Sequence, residues 1–308
     1  YCQKADILAD AQIKCADFFG INHVHVATDA YSEASAWGVE IDFESHTPVT
    51  KPGKELILEE FGSVEEPDLL AAPRIQNRLE AVRLLNKKVG SEQCIVGWIE
   101  APFAELCCIF GMMNIMKLGG HNWENSITQL VKRVLPVQLE FAKLQIEAGA
   151  DIIGAGDSAI SLIGPKNYEK GTLSSTQKLF RSIEKFVPVL YHTCGDNSIV
   201  DKQGREMLKL IANAGESILD IDYQVDLKTA KIKIGKEVCI RGNTNTSTLG
   251  TPSSAEEIVK EVAQDIRAGK PGGRYMYAAG CEWPWEPLDM AIRNLSIAKA
   301  LNEKLGQY

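Results

Sequence analysis

The chain is poor in several features that would fix a function quickly. It has only five histidines (23, 25, 46, 121 and 192), so a metal site built from imidazole alone has little to draw on. No stretch of about 18 or more uncharged apolar residues occurs, which argues against a membrane-spanning helix. The opening YCQKADILADAQIKCADFFG mixes acidic and basic residues and does not read as a signal peptide. It does not start with Met, so a preceding N-terminal segment is expected. Basic residues form no run or stripe and the net charge is −8, which argues against nucleic acid or an anionic membrane as partner. There is no G-x-G-x-x-G after the first apolar run, no P-loop and no G-x-S-x-G elbow. Dinucleotide, nucleoside triphosphate and serine-hydrolase readings are weakened accordingly. The eight cysteines (2, 15, 94, 107, 108, 194, 239 and 281) lack disulfide-framework spacing. In a chain of 308 residues that favours a reducing cytoplasm, with thiols buried or bound to metal.

What is present is an alternation of apolar runs and amphipathic stretches. The runs are HVHVAT (23–28), CIVGWIE (94–100), ADIIGAG (150–156), VPVLYH (187–192), SILDID (217–222), EVCIRG (237–242) and RYMYAAG (274–280). Continuous apolar runs of this kind predict parallel strands covered on both faces. Helices are expected at 127–149, 205–215 and 253–269, each closing on a glycine, the last opening on serines that can cap it. This rhythm predicts an α/β fold, a (β/α)8 TIM barrel in one domain over 1–308, with an eighth strand expected in 36–60 or absent from the chain. A doubly wound open sheet is the competing architecture. The polar, proline-bearing stretch 42–75 reads as a long loop or lid.

Active sites of such barrels lie at the C-terminal ends of the strands. The polar residues there are Glu100, Asp157, His192, Cys194, Asp222, Asn243, Cys281 and Glu282. One histidine and two cysteines from two strand ends can converge on an ion, and zinc suits imidazole with thiolate. Three protein ligands would leave a fourth position for substrate. The alternative is that an H-x-C pair fell together by chance and the cysteines are small buried apolar residues. His23 and His25, on one face of a strand, read as structural or pocket-lining. Cys107, Cys108 and the methionines 112, 113 and 116 read as core, Cys239 as inert, and Cys2 and Cys15 as belonging to an early helix.

Taken together, six blocks resemble the uroporphyrinogen decarboxylase superfamily: DAYSEASAWG (29–38), GWIEAPF (97–103), EAGADIIGAGDS (147–158), HTCGD (192–196), RGNTN (241–245) and AAGCEWP (278–284). The superfamily has metal-free decarboxylases and zinc- and corrinoid-dependent methyltransferases. The second branch binds zinc through H-x-C and a distant Cys in a G-C-E-like turn, and both elements are present here. The resemblance therefore implies Zn2+ held by His192, Cys194 and Cys281, and a corrinoid (cobalamin) carried on a partner protein. It further implies transfer of a methyl group from a methylated small molecule, an aryl methyl ether, to Co(I), in an anaerobic cytoplasm.

Several roles stay open at this point. Glu100 or Asp157 is a fourth zinc ligand or a proton donor, or else a hydrogen-bond partner that orients His192. Phe103, Tyr223, Trp283 and Trp285 are available to line an aromatic pocket, and Asn243 either contacts substrate or closes a loop. Methylation of a thiol such as coenzyme M by the same zinc site is the first alternative; it needs a cation for the sulfonate, and Arg241 is the one basic residue at a strand end. Decarboxylation of a uroporphyrinogen-type substrate is the second alternative. A purely structural zinc in a binding module is the non-enzymatic one.

Overall fold

The computed structural model describes residues 1–307 apart from positions 46, 119–122, 283 and 285. Its strands are β1 (His23–His25), β2 (Ile41–Asp42), β3 (Val49–Thr50), β4 (Cys94–Glu100), β5 (Ile152–Asp157), β6 (Val189–Thr193), β7 (Ile218–Ile221), β8 (Cys239–Thr244) and β9 (Tyr275–Ala279). Seven of them form one curled parallel sheet in the order β1-β4-β5-β6-β7-β8-β9, with helices between successive strands. The fold is α/β, and its curled parallel sheet is consistent with a TIM-like barrel. Every apolar run singled out above overlaps one of these seven strands, and CIVGWIE is strand over its full length.

The expected eighth strand is not found among the described residues. The 36–60 region instead supplies β2 and β3, two residues each, paired antiparallel with each other. The reason is local: Pro48 and Pro52 flank β3, and the segment is too short and too polar to be covered on both faces. The described residues of 42–75 are otherwise irregular except for one turn of 3-10 helix at Phe61–Ser63 and the start of the Pro73–Val89 helix. It is tied down rather than loose. Phe61 is buried, with its ring 4.9 Å from those of Trp37 and Phe110. The helices expected at 127–149, 205–215 and 253–269 span Trp123–Ala148, Met207–Ala212 and Ala255–Gly269. The last opens on a capping box formed by Ser254 and Glu257.

Strand β4 carries the fold's most instructive hydrogen-bond accounting. Its even-numbered residues turn their backbone groups toward β1, but β1 ends at His25 and pairs no further than Val96. The amides of Trp98 and Glu100 would be left orphaned in a dry interface, a costly state. Side chains replace the missing strand. Gln145, from the Trp123–Ala148 helix, accepts from Trp98 N–H at 2.8 Å and donates to Trp98 C=O at 3.0 Å. Glu33 accepts from Glu100 N–H at 2.9 Å, and Gln138 donates to Glu100 C=O at 2.8 Å. Gly97 makes room for this, since a Cβ there would stand 2.8 Å from Gln145 Oε1.

Register then arranges the concave face. Glu100, Gly156, His192, Asp220 and Arg241 are neighbours across β4 to β8 and form one row. Side chains of a row share a face, so four polar groups stand level beside one glycine.

Replacing Gln145 with Leu keeps the volume and strands two backbone groups. Urea unfolding should show a loss of about 2–4 kcal/mol; a change under about 0.5 kcal/mol would contradict the bridging role.

Candidate metal centre

His192 sits on β6, Cys194 one residue past its end, and Cys281 two residues past β9. Their donor atoms all lie within 4.8 Å of one another. His192 Nε2 is 3.1 Å from Cys194 Sγ and 3.6 Å from Cys281 Sγ, and the two sulfurs are 3.6 Å apart. Ligands on a tetrahedral zinc, with Zn–S near 2.3 Å and Zn–N near 2.0 Å, stand about 3.5–3.8 Å apart. Both distances to Cys281 have that spacing, the His192–Cys194 pair is closer by about 0.4 Å, and the donor set of one imidazole and two thiols suits that ion. Among the described residues the cluster holds these three and no carboxylate.

Two glycines let the ligand-bearing turns close. Gly195 adopts φ +80°, and a Cβ there would lie 2.5 Å from Ser161 Oγ. Its N–H donates to Asp222 Oδ2 at 2.9 Å, and Asn197 donates to the carbonyls of Cys194 and Gly195. Gly280, beside Cys281, packs so tightly that a Cβ would come within 2.4 Å of the Tyr223 amide nitrogen. Its own N–H donates to Thr244 C=O at 2.9 Å.

The orienting partner of His192 is Asp220, a residue not singled out from the sequence. Asp220 Oδ2 lies 3.0 Å from His192 Nδ1 and accepts from Arg241 Nη1 at 2.6 Å. The carboxylate fixes the ring so that Nε2 faces the sulfurs, the arrangement common to metal-bound histidines. Asp220 lies inside the apolar run SILDID rather than beyond it, and only its register with His192 reveals the role.

The charge state follows from these contacts. Burial would drive His192 neutral, but Asp220 and then Cys281 hold its imidazolium and push its pKa up to about 10. Cys281 is lowered, first by the hydrogen bond it takes from Cys194 and then by the one from His192. Cys194 is raised by donating that hydrogen bond and by burial. Without metal, these contacts favour an imidazolium beside one thiolate, with the second thiol protonated.

The other expected site residues are distributed as follows. Glu100 stands on the concave face, 5% exposed, its Oε1 accepting from Trp98 Nε1 at 3.2 Å. Burial, followed by the neighbouring Glu33 and Glu105, raises its pKa well above the usual carboxylate range. Asp157 points the other way: it pairs in register with Thr193 and accepts from the Tyr191 hydroxyl at 3.1 Å, in the layer under the helices. Burial lifts it to about 7 against that hydrogen bond. Neither carboxylate orients His192, because Asp220 already does.

Asn243 spends its amide on Asp222 C=O and Val225 C=O, at 3.0 and 2.6 Å, closing the loop after β7. Phe103 is fully buried against Trp123, ring centroids 6.2 Å apart, so it belongs to the core. Tyr223 is exposed beside Gly280. Trp283 and Trp285 lie outside the described residues. His23 and His25 share the concave face, their rings 6.4 Å apart, and burial, then His23 and Arg241, drives His25 down to about 4.

Cys107 and Cys108 pack against the core, but Met112 and Met113, expected there too, are exposed. They sit on a six-residue helix at the rim, Met112–Lys117, which is too short to bury every side. Cys2 precedes the first helix, Ala5–Phe19, and Cys15 is exposed on it.

Zinc requires neutral His192 and two thiolates, so binding near neutral pH must expel about two protons, one from His192 and one from Cys194. Chelator competition should show affinity rising steeply from pH 6 to 8; a flat profile would contradict this proton inventory. Asp220→Asn should weaken zinc binding by roughly 10–100-fold while leaving all three ligands in place.

The uroporphyrinogen decarboxylase (URO-D) family model matches residues 1–295. The uroporphyrinogen decarboxylase of Trichlorobacter lovleyi is 24% identical over 283 residues, covering 88% of this chain and 78% of that protein. That of Geobacter metallireducens is 22% identical over 314 residues, covering 98% and 87%. Among solved structures, a methyltransferase from Methanosarcina mazei matches with a TM-score of 0.83 at 22% identity, covering 98% of this chain and 86% of that one. A B12-independent methionine synthase from Shewanella sp. W3-18-1 matches at 0.63 and 12%, covering 97% and 87%. At these identities the structural likenesses speak to fold alone. The family match is broader, and on its 295 residues the chain belongs to the uroporphyrinogen decarboxylase family.

Proposed function

We propose that the chain is a zinc-dependent methyltransferase that moves a methyl group from an aryl methyl ether to the Co(I) of a corrinoid protein. The observation that supports this most is the His192–Cys194–Cys281 cluster, with donors within 4.8 Å at the ends of strands of the parallel sheet. A metal-free decarboxylase has no use for such a cluster. The Methanosarcina mazei protein of the same fold, a methyltransferase, points in the same direction.

Bound zinc would supply Lewis acidity toward the ether oxygen, worth several kcal/mol, tempered by the two thiolates. The chain's own residues do the rest. Asp220 holds His192 at the angle the cluster needs, and Arg241 holds Asp220. Glu100, kept protonated by burial and by Glu33, carries the proton that the departing oxygen must receive. As the methyl–oxygen bond breaks, its electron pair stays on oxygen, and the Glu100 proton neutralises it. Asp157, turned under the helices, is not given that role.

The other readings need free cations on the concave face. A sulfonate-bearing thiol acceptor needs one beside the metal, and Arg241 is committed to Asp220 at 2.6 Å. A substrate with several carboxylates needs more, and Arg74 and Arg78 both pair with the buried Asp29. Among the described residues no helix is long and apolar enough to cross a membrane. A Co(I) partner is oxygen-sensitive, which places the proposed reaction in an anaerobic cytoplasm.

The test mixes zinc-loaded protein with a Co(I) corrinoid protein and, separately, methoxyarenes, methylated thiols and uroporphyrinogen. Loss of the Co(I) absorbance with methoxyarenes is expected. Carbon dioxide release from uroporphyrinogen, with no corrinoid methylation, would overturn the proposal. Glu100→Gln should lower the methoxyarene rate by about 100-fold or more at pH 7 with zinc content unchanged.

A further inference from the structure

We infer that Trp98 is the surface on which the aromatic ring of the methyl donor lies beside the metal centre. This rests on the proposed reading of the cluster and specifies the ligand it selects. Trp98 is on β4, two residues and about 6.6 Å below Glu100, on the same concave face. Between Ile95 and Glu100 every residue of the strand is buried except Trp98, which keeps part of its indole open.

The adjacent strand is shaped around that indole. A Cβ on Gly154 would lie 2.3 Å from Trp98 Cε3, and one on Gly156 would lie 3.1 Å from Trp98 Cζ2. Two bare positions, Gly154 and Gly156, thus form a cradle in which the six-membered ring rests across β5. Gly156 is the register partner of His192, so the cradle leads toward the cluster. The indole N–H donates to Glu100 Oε1 at 3.2 Å, which fixes the ring's rotation and aligns it with the proposed proton donor. A rigid, partly open indole tied to an acid and reaching over the register partner of His192 is a stacking platform: it takes a flat ring and places its substituent oxygen toward both groups. A mere filler of the core would have no reason to stay open or to have its ring tied to Glu100.

The test uses the zinc-loaded full chain and two probes of similar shape, 2-methoxyphenol and 2-methoxycyclohexanol, followed by calorimetric titration. Wild type should bind the aromatic probe about tenfold or more tightly than its saturated counterpart. Trp98→Leu, which fills the cradle without a π face, should bring the two within about twofold, whereas Trp98→Phe should keep most of the preference. Equal binding of both probes by wild type, or an unchanged ratio in Trp98→Leu, would overturn the inference. Should Trp98→Leu fail to fold, the wild-type protein decides alone. Saturating 2-methoxyphenol should shift the Trp98 indole N–H resonance through the ring current, and an unmoved resonance overturns the inference. Ring preference without methyl transfer to Co(I) would remove the methyltransferase reading and leave the Trp98 role standing. Methyl transfer from methoxyarenes with no dependence on Trp98 would do the reverse.

Discussion

Parallel register is the constraint on which the site depends. Glu100, Gly156, His192, Asp220 and Arg241 belong to five strands separated by helices and loops, yet strand pairing sets them level in one row on one face. A slip of one residue in β6 would turn His192 under the helices and bring Tyr191 or Thr193 inward. The register is held partly by means other than strand pairing. Where β1 stops short, Gln145, Glu33 and Gln138 take over the backbone groups of β4. The buried polar side chains between sheet and helices are thus part of what keeps Glu100 in the row.

The cluster itself divides between a fixed part and an adjustable part. His192 is clamped by Asp220, which is clamped in turn by Arg241. Cys194 and Cys281 sit on turns whose closure relies on Gly195 and Gly280. Orientation therefore comes from the sheet, and approach of the thiols comes from loops that tolerate no added Cβ. That division suits a centre that must hold an ion firmly while leaving one coordination position for a changing partner.

Much of this was legible in the sequence because each feature had a local signature. Buried parallel strands are continuous apolar runs, and all seven stood out, CIVGWIE to the residue. His192, Cys194 and Cys281 were singled out because they stand at or just past strand ends, with Gly195 and Gly280 beside the two cysteines, and the structure brings the three together. Whether 36–60 held an eighth strand was left open, because β2 and β3, at two residues each, have no period long enough to read; among the described residues none joins the sheet. Phe103 was placed in a pocket and Met112 and Met113 in the core, and the structure reverses both, since composition does not say which face of a short helix meets the body. Asp220 and Trp98 were missed for a different reason. Each lies inside an apolar run, and its role depends on a residue across the sheet, Asp220 facing His192 and Trp98 resting over Gly154.

The central claim is that one imidazole and two thiolates of this chain hold a zinc ion and leave a position open. Zinc K-edge absorption of the metal-loaded protein tests it most directly. Two sulfur scatterers near 2.3 Å and one imidazole nitrogen near 2.0 Å are expected, with a light fourth scatterer that changes when a methoxyarene is added. Four protein ligands unaffected by the methoxyarene, or a shell without sulfur, would contradict it.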